Sequence, residues 1–274
     1  MPVIDLSNRI AVVTGSGWGI GRAIAHAIAA AGAHVVVAEV DEEAGRSTVA
    51  SIASEGGSAS FGKCDVSNVE SVKALMSDVG ERFGAIDILV NNAGIAGSAA
   101  PVDLFDDDVW ERVISIDLSG VYRCTKYAVP YLEKSGHAAI VNIASTFGMV
   151  GAPQTPAYAA AKGGVINLTR QFAVDLTPRG IRVNAVSPGY VDNDMGRRGA
   201  TMAPEDAAAR WQARNDLAAM QPIGRQAATS EIANVVRFLV SDQASFMTGA
   251  IVPVDGGCTA TFNRGAIIQE RRNS

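Results

Sequence analysis

The chain has 274 residues, 48% of them hydrophobic, which is enough for a buried core in one large α/β domain or two small ones. Charged residues make up 19% and sum to −5; no Lys/Arg stripe runs through them, which argues against nucleic acid or an anionic membrane as partner. Cys64, Cys124 and Cys258 stand far apart without C-x-x-C spacing, so the expectation is three small buried hydrophobes, with no disulfide framework and no metal site.

The N-terminal Met1–Asp5 lacks a basic segment followed by an apolar run. The most apolar stretch, Ala23 to Ala38, is broken by His26, Gly32 and His34 and is too short to span a bilayer. The reading is a cytoplasmic protein. Ile10–Thr14 is an apolar run ending at Gly15, a strand covered on both faces. Gly19–Ala31 is alanine-rich and ends at Gly32, a helix with its terminating glycine. Val35–Ala38 is the second buried strand. Further strands are expected at Ser58–Cys64, Ile86–Val90, Ala139–Ala144, Ile181–Val186 and Ile251–Val254. Helical patterns fill the gaps, among them Val69–Phe83, Val109–Leu132, Pro156–Leu176 and Glu231–Leu239.

Strand and helix alternating in this way predict parallel pairing with right-handed crossovers, hence an α/β doubly wound, seven-stranded parallel sheet with helices on both faces. No linker interrupts residues 1–257, which read as one dinucleotide-binding catalytic domain. Two pieces fall outside the rhythm: a polar, helix-prone stretch from Asp192 to Arg225, and a tail over residues 258–274. The tail carries Phe262, Ile267 and Ile268 beside Arg264, Arg271 and Arg272. Its apolar part is expected to pack on a neighbouring subunit or over a substrate mouth, the alternative being a frayed end.

The first strand-to-helix turn reads Thr14-Gly15-Ser16-Gly17-Trp18-Gly19-Ile20-Gly21, with Gly15, Gly19 and Gly21 in a G-x-x-x-G-x-G arrangement. Glycines there let the chain turn tightly and let backbone N–H groups and the helix N-terminus approach a pyrophosphate. The second strand runs out at Glu39, eighteen residues past Gly21. An acid there accepts hydrogen bonds from ribose hydroxyls and repels a 2′-phosphate. No Lys or Arg lies between Ala38 and Ala44, and Trp18 stands where a basic residue would meet that phosphate. The expected cofactor is NAD.

Tyr158 and Lys162 lie four apart at the start of a predicted helix, so their side chains share a face. Ser145 sits thirteen residues before Tyr158, at the carboxyl end of a strand, where open α/β sheets bind ligands. Oxidation of an alcohol needs a base for the hydroxyl proton, and a phenol with a pKa of about 10 is a poor one at neutral pH. A lysine ammonium close by favours the phenolate, and the serine hydroxyl holds the substrate oxygen.

With these residues the chain resembles the short-chain dehydrogenase/reductases, Rossmann-fold oxidoreductases, from about Ile10 to Gly257. Thr14-Gly15 with Gly19-Ile20-Gly21 resembles the family's cofactor turn, Asp65-Val66 its adenine contact and Asn91-Asn92-Ala93-Gly94 its NNAG signature. Ser187-Pro188-Gly189 resembles the turn beside the nicotinamide, and Val254-Asp255-Gly256-Gly257 the last strand. The resemblance implies that Ser145, Tyr158 and Lys162 are catalytic. It adds Gly15, Ser16, Trp18, Gly19, Ile20, Gly21, Glu39, Asp65, Val66, Asn92, Ala93, Gly94, Pro188, Gly189, Val191 and Asn193, with Tyr158 and Lys162, as the cofactor set. Ser145, Phe147, Gln154 and Tyr190 would contact substrate, with Ile95, Ala96, Thr146 and Met195 nearby. It also implies a substrate lid over about 190–225 and a homotetramer that pairs the helices at Val109–Leu132 and Pro156–Leu176.

Two positions depart from the family's pattern. Asp117 takes the fourth catalytic position, usually an Asn that helps hold a water joining the lysine to solvent. An aspartate there would steady Lys162 as a cation and oppose ionisation of Tyr158. Asn193 replaces a threonine and keeps the capacity to contact the nicotinamide carboxamide. The function implied is NAD-dependent hydride transfer between a secondary alcohol or its ketone and nicotinamide, on a small, largely apolar substrate. Arg197 and Arg198 offer a grip on a carboxylate or sulfonate but read better as solvated lid residues. Alternatives are a 3-oxoacyl-thioester reductase, which usually goes with NADPH, and a non-catalytic NAD-binding sensor or scaffold.

Overall fold

A computed structural model of the chain describes residues 4–193, 204–219 and 221–261. Met195, Arg197 and Arg198 of the expected lid, and the tail from Phe262, lie outside them. Seven strands form one parallel sheet: β1 (Ile10–Thr14), β2 (His34–Glu39), β3 (Ser58–Lys63), β4 (Ile88–Asn91), β5 (Ala139–Ile143), β6 (Arg182–Pro188) and β7 (Ile251–Val254). Their spatial order is 3-2-1-4-5-6-7, so the winding reverses between β1 and β4. The carboxyl ends of those two strands therefore lead away from each other and open a crevice. Val12 of β1 registers with Val36 of β2 on one side and Leu89 of β4 on the other.

Helices cover both faces, which is why the central strands are continuous apolar runs. On one face α1 (Gly19–Ala29) packs with α8 (Thr229–Val240), burying Ile24, Ile28, Ile232 and Val236 against Val35, Val37 and Val90. On the other, α3 (Val69–Phe83) and α5 (Gly120–Leu132) bury Val72, Met76, Ala128 and Leu132 against Val12, Leu89 and Ile140. Each fully buried aliphatic side chain contributes roughly 1.5–3 kcal/mol of transfer free energy, so the sheet is a stiff base for the loops at its carboxyl edge. The remaining helices are α2 (Glu42–Ser54), α4 (Asp107–Val113), α6 (Pro156–Leu176) and α7 (Pro204–Ala219). Among the described residues no helix is long and apolar enough to cross a membrane, and no His/Cys/Asp/Glu group suits a metal ion.

β1 and β7 fall on the expected limits, the other strands shift by one or two residues at one end or both, and the long helix expected at Val109–Leu132 is three pieces. Between α4 and α5 the backbone widens into a π turn over Ile114–Ser119. Such widened turns are rare and cluster at functional sites; this one holds Asp117, fully buried. The stretch 190–225 also gains structure that the sequence only hinted at. Val191 bridges Ala227, and α7 follows within the lid region.

Candidate active site

The crevice at the β1/β4 reversal opens into a cleft of about 860 Å³. Its floor is held by a zip between two loops. Thr14 Oγ1 accepts hydrogen bonds from the N–H groups of Asn92 and Ala93, each at 3.0 Å, and Asn92 Nδ2 donates to the carbonyls of Thr14 and Gly15 at 2.9 and 3.0 Å. Gly15 and Gly19 sit at φ +62° and +52°, the left-handed region that glycine tolerates. A Cβ on Gly21 would lie 2.3 Å from both Gly15 O and Asn92 Nδ2, so the helix start approaches the turn more closely than a side chain permits.

Glu39 ends β2 and is 4% exposed. Its Oε2 accepts the Gly17 N–H at 2.9 Å, and Oε1 accepts the N–H groups of Val40 and Asp41 at 2.9 and 3.3 Å. Backbone donors thus pin the carboxylate at the cleft wall. Asp65 follows β3, with Oδ1 accepting the Ser67 N–H and hydroxyl at 2.8 and 2.6 Å. Glycines close to an open helix N-terminus, with an oriented carboxylate one strand away, fit a dinucleotide.

At the other end Ser145, Tyr158 and Lys162 all line the cleft. Ser145 follows β5 and its Oγ accepts the Phe147 N–H at 3.2 Å; its hydroxyl faces Tyr158 and favours the phenolate. Tyr158 and Lys162 leave one face of α6, with Nζ 5.5 Å from the Tyr158 ring centroid. Lys162 Nζ donates to the Ile143 carbonyl at 3.1 Å and lies 3.2 Å from Asp117 Oδ2. Asp117 Oδ1 accepts the Ile95 N–H at 2.8 Å. The loop after β4 passes so close that a Cβ on Gly94 would lie 2.7 Å from Asp117 Oδ2.

The charges pull in a defined way. Burial works against the Lys162 ammonium, but Asp117 and Tyr158 outweigh it and hold the amine above its usual value. Burial pushes the Tyr158 hydroxyl up against the pull of Lys162; Asp117 pushes the same way as burial, while Ser145 and Arg214 oppose it. Asp117 and Lys162 are in direct contact and both buried; burial pushes the Asp117 acid above its usual value, against the pull of Lys162 and of the Ile95 N–H.

Most of the expected residues meet at this cleft: Gly15, Trp18, Gly19, Ile20, Gly21, Glu39, Asp65, Val66, Asn92, Ala93, Gly94, Pro188, Gly189, Val191 and Asn193 line it, as do Phe147 and Tyr190. Three do not. Ser16 turns inward, fully buried, its hydroxyl donating to the Val13 carbonyl at 2.6 Å, so its side chain is spent on the turn. Gln154 is exposed, at φ +58°, outside the lining. Asp117 is outside the lining, fully buried beneath Lys162, Gly94 and Ile95, which do line the cleft. Sequence reasoning missed Arg214 and Thr155, both in the lining. Arg214 donates from Nη2 to the Val191 carbonyl at 2.6 Å. It is one of several arginines in a polar stretch, and only tertiary structure singles it out.

The sequence model of the enoyl-(acyl carrier protein) reductase family matches residues 15–259. The chain belongs to the short-chain dehydrogenase/reductase family. Its members are oxidoreductases that use a nicotinamide cofactor. A cis-4-hydroxycyclohexanecarboxylate dehydrogenase of Sinomonas cyclohexanicum is 46% identical over 255 residues, covering 93% of this chain and 98% of the relative. The crystal structure of levodione reductase superposes with a TM-score of 0.87 at 35% identity, covering 93% of this chain and 99% of that one. An NAD(P)-dependent gluconate 5-dehydrogenase from Beutenbergia cavernae, with NADP bound at low occupancy, superposes with a TM-score of 0.84 at 34% identity and covers 95% of this chain and 100% of that one.

Proposed function

We propose that the protein is an NAD-dependent dehydrogenase of small secondary alcohols, reducing the corresponding ketones in reverse. The observation that carries this is the convergence of Ser145, Tyr158 and Lys162 at one end of a cleft whose other end holds Glu39. Gly15, Gly19, Ile20, Gly21, Asn92, Ala93 and Gly94 would hold the dinucleotide, with Trp18, Asp65 and Val66 towards its adenosine end. Pro188, Gly189, Val191 and Asn193 would flank the nicotinamide, which when bound takes or gives the hydride. Ser145 donates to the substrate oxygen, and Tyr158 receives the hydroxyl proton as the C–H bond breaks, returning it in the reduction. Lys162 stabilises the phenolate. Phe147 and Tyr190 stand edge to face, ring centroids 6.4 Å apart, and give the alcohol an apolar wall.

A panel of cyclic, aromatic and acyl secondary alcohols with NAD, followed by NADH absorbance, tests the reading; ring alcohols come first, given the substrate for which the Sinomonas relative is named. Turnover of at least one is expected, and none on any would overturn it. A second reading, a 3-oxoacyl-thioester reductase, is supported by a 3-oxoacyl-[acyl-carrier-protein] reductase of Thermotoga maritima that is 35% identical over 252 residues; it predicts faster turnover of a 3-oxoacyl thioester with NADPH than of any simple ketone with NADH. Cofactor choice rests on Glu39, whose charge at the end of β2 would repel a 2′-phosphate. kcat/KM with NAD is expected to exceed that with NADP by at least tenfold, about 1.4 kcal/mol, and Glu39→Ala to narrow the gap. Equal efficiencies in the unaltered protein would contradict this. Tyr122 and Val174, exposed on α5 and α6, support a homotetramer through those helices, and three free thiols suit the cytoplasm.

A further inference from the structure

The widened turn at Ile114–Ser119 is tied to the adenosine side of the cleft by one side chain. Arg123, half-buried in the first turn of α5, reaches back over it. Its Nη1 donates to the Ser115 carbonyl at 2.9 Å and to the Val66 carbonyl at 3.3 Å, with Ser115 Oγ at 3.4 Å. That nitrogen has two hydrogens, one for each carbonyl. Ser115 and Ile116 belong to the turn, Val66 to the loop after β3, and all three line the cleft. The same two segments touch again where the turn ends: a Cβ on Gly120 would lie 2.9 Å from Val66 Cγ2 and 3.1 Å from Val66 Cβ, so a larger residue would push them apart. Between these two anchor points stands Asp117, its carboxylate 3.2 Å from Lys162 Nζ and bonded to the Ile95 N–H at 2.8 Å. A π turn is a rare excursion from the α-helix on either side of it, and a side chain that grips a carbonyl inside it and a neighbouring loop at once opposes its relaxation.

We propose that Arg123 is a positioning residue that locks the widened turn to the loop after β3, so that the loop which receives the cofactor's adenosine end also holds Asp117 against Lys162. This rests on the NAD-dependent reading above, in which Val66 stands towards the adenosine. Contacts made far from the reacting atoms then stabilise the arrangement in which the reaction occurs, as remote binding energy commonly does. The charges that face the Tyr158–Lys162 couple are Asp117 from the turn and Arg214 from α7, with the Ser145 hydroxyl beside them; Arg123 is not among them. The direction of a pH effect therefore separates two roles. Loss of Arg123 as a mere positive charge would raise the basic limb of the pH–rate profile for alcohol oxidation. Loss of its hold on Asp117 removes a force that raises both groups, and lowers the limb.

The experiment compares the unaltered protein with Arg123→Met, Arg123→Lys, Asp117→Asn and the variant that combines Arg123→Met with Asp117→Asn. Calorimetry with ADP-ribose, which carries the adenosine end without the nicotinamide, reads the loop. Arg123→Met is expected to raise its Kd by about three- to tenfold, and Arg123→Lys, which keeps the charge but not the planar reach, by less. The pH–rate profile of alcohol oxidation reads the turn. Arg123→Met is expected to lower the basic limb by some tenths of a unit, in the same direction as Asp117→Asn, and to add nothing in the combined variant, because both act through one carboxylate. An unchanged Kd, a limb that stays or rises, or shifts that add in the combined variant would overturn the proposal. Should Arg123→Met fail to fold, Arg123→Lys and Gly120→Ala decide. Each loosens one of the two contacts with Val66 and is expected to raise the ADP-ribose Kd; an unchanged Kd in both would overturn it. Should no alcohol give NADH, the secondary-alcohol reading fails and the lock is judged without turnover. The ADP-ribose Kd then stands beside the ionisation of Tyr158, followed as tyrosinate absorbance against the matching Tyr158→Phe variant, with the same directions expected and the same results overturning it.

Discussion

At Lys162 the ammonium is held between the Ile143 carbonyl and the Asp117 carboxylate, and both partners are buried. The Asp117 carboxylate is itself tied to the half-buried Ile95 N–H, a bond that it would lose by swinging away. Asp117 is therefore a positioning residue whose charge acts on the Tyr–Lys couple. The other groups facing that couple are the Ser145 hydroxyl, which lowers the tyrosine, and Arg214, which does the same. Removing the carboxylate charge takes away one force raising both Tyr158 and Lys162. Asp117→Asn is expected to move the basic limb of the pH–rate profile for alcohol oxidation downward, by some tenths of a unit to about one unit. The limb belongs to the coupled pair and is assigned to neither residue alone. Profiles for both proteins on one substrate check this, and superimposable limbs would show that the charge does not reach the reacting oxygen. Deleting the side chain is a harsher change. Asp117→Ala strands the Lys162 charge in the interior, at a cost of about 3–5 kcal/mol, and a lowered melting temperature would register it.

Among the elements, the π turn at Ile114–Ser119 and the glycine turn after β1 do most to shape the site. The contact of Asp117 with Lys162 was legible from the family resemblance; the widened turn that carries it was not. Apolar residues recur from Val109 to Leu132 on both sides of the widened turn, so periodicity alone reads a single helix there. The glycine turn was legible because its residues are dictated by backbone geometry. Gly21 is the sharpest case: a Cβ there meets the Gly15 carbonyl, a backbone atom with little freedom to yield. Gly21→Ala is expected to cost about 1–3 kcal/mol of stability through overpacking and to push the β1 turn away from the dinucleotide. Thermal melting without cofactor and NADH titration together check it, the Kd expected to rise by about tenfold or more for 1.4 kcal/mol of lost binding. An unchanged Kd would mean that the turn does not hold the pyrophosphate.

For the whole molecule, a parallel sheet with helices on both faces follows from the alternation of strand and helix and right-handed crossovers, while the strand order 3-2-1-4-5-6-7 comes from the structure. Ser145, Tyr158 and Lys162 were legible for the same reason, each sitting at a strand end or helix start that the alternation already locates. Arg214 was not, since α7 carries no core-facing pattern and its place over the cleft depends on contacts with the loop after β6. Ser16 and Gln154 went the other way: their sequence positions suited ligand contact, but one side chain closes its own turn and the other stands outside the lining. The central claim is that this cleft moves a hydride with Tyr158 as the acid and base. Its most direct test is Tyr158→Phe, which keeps the ring against Phe147 and removes only the hydroxyl. Turnover of the best alcohol with NAD is expected to fall by roughly 100-fold or more, the usual scale for a general acid–base group, with NADH affinity little changed. Near-normal turnover in that variant would contradict the account.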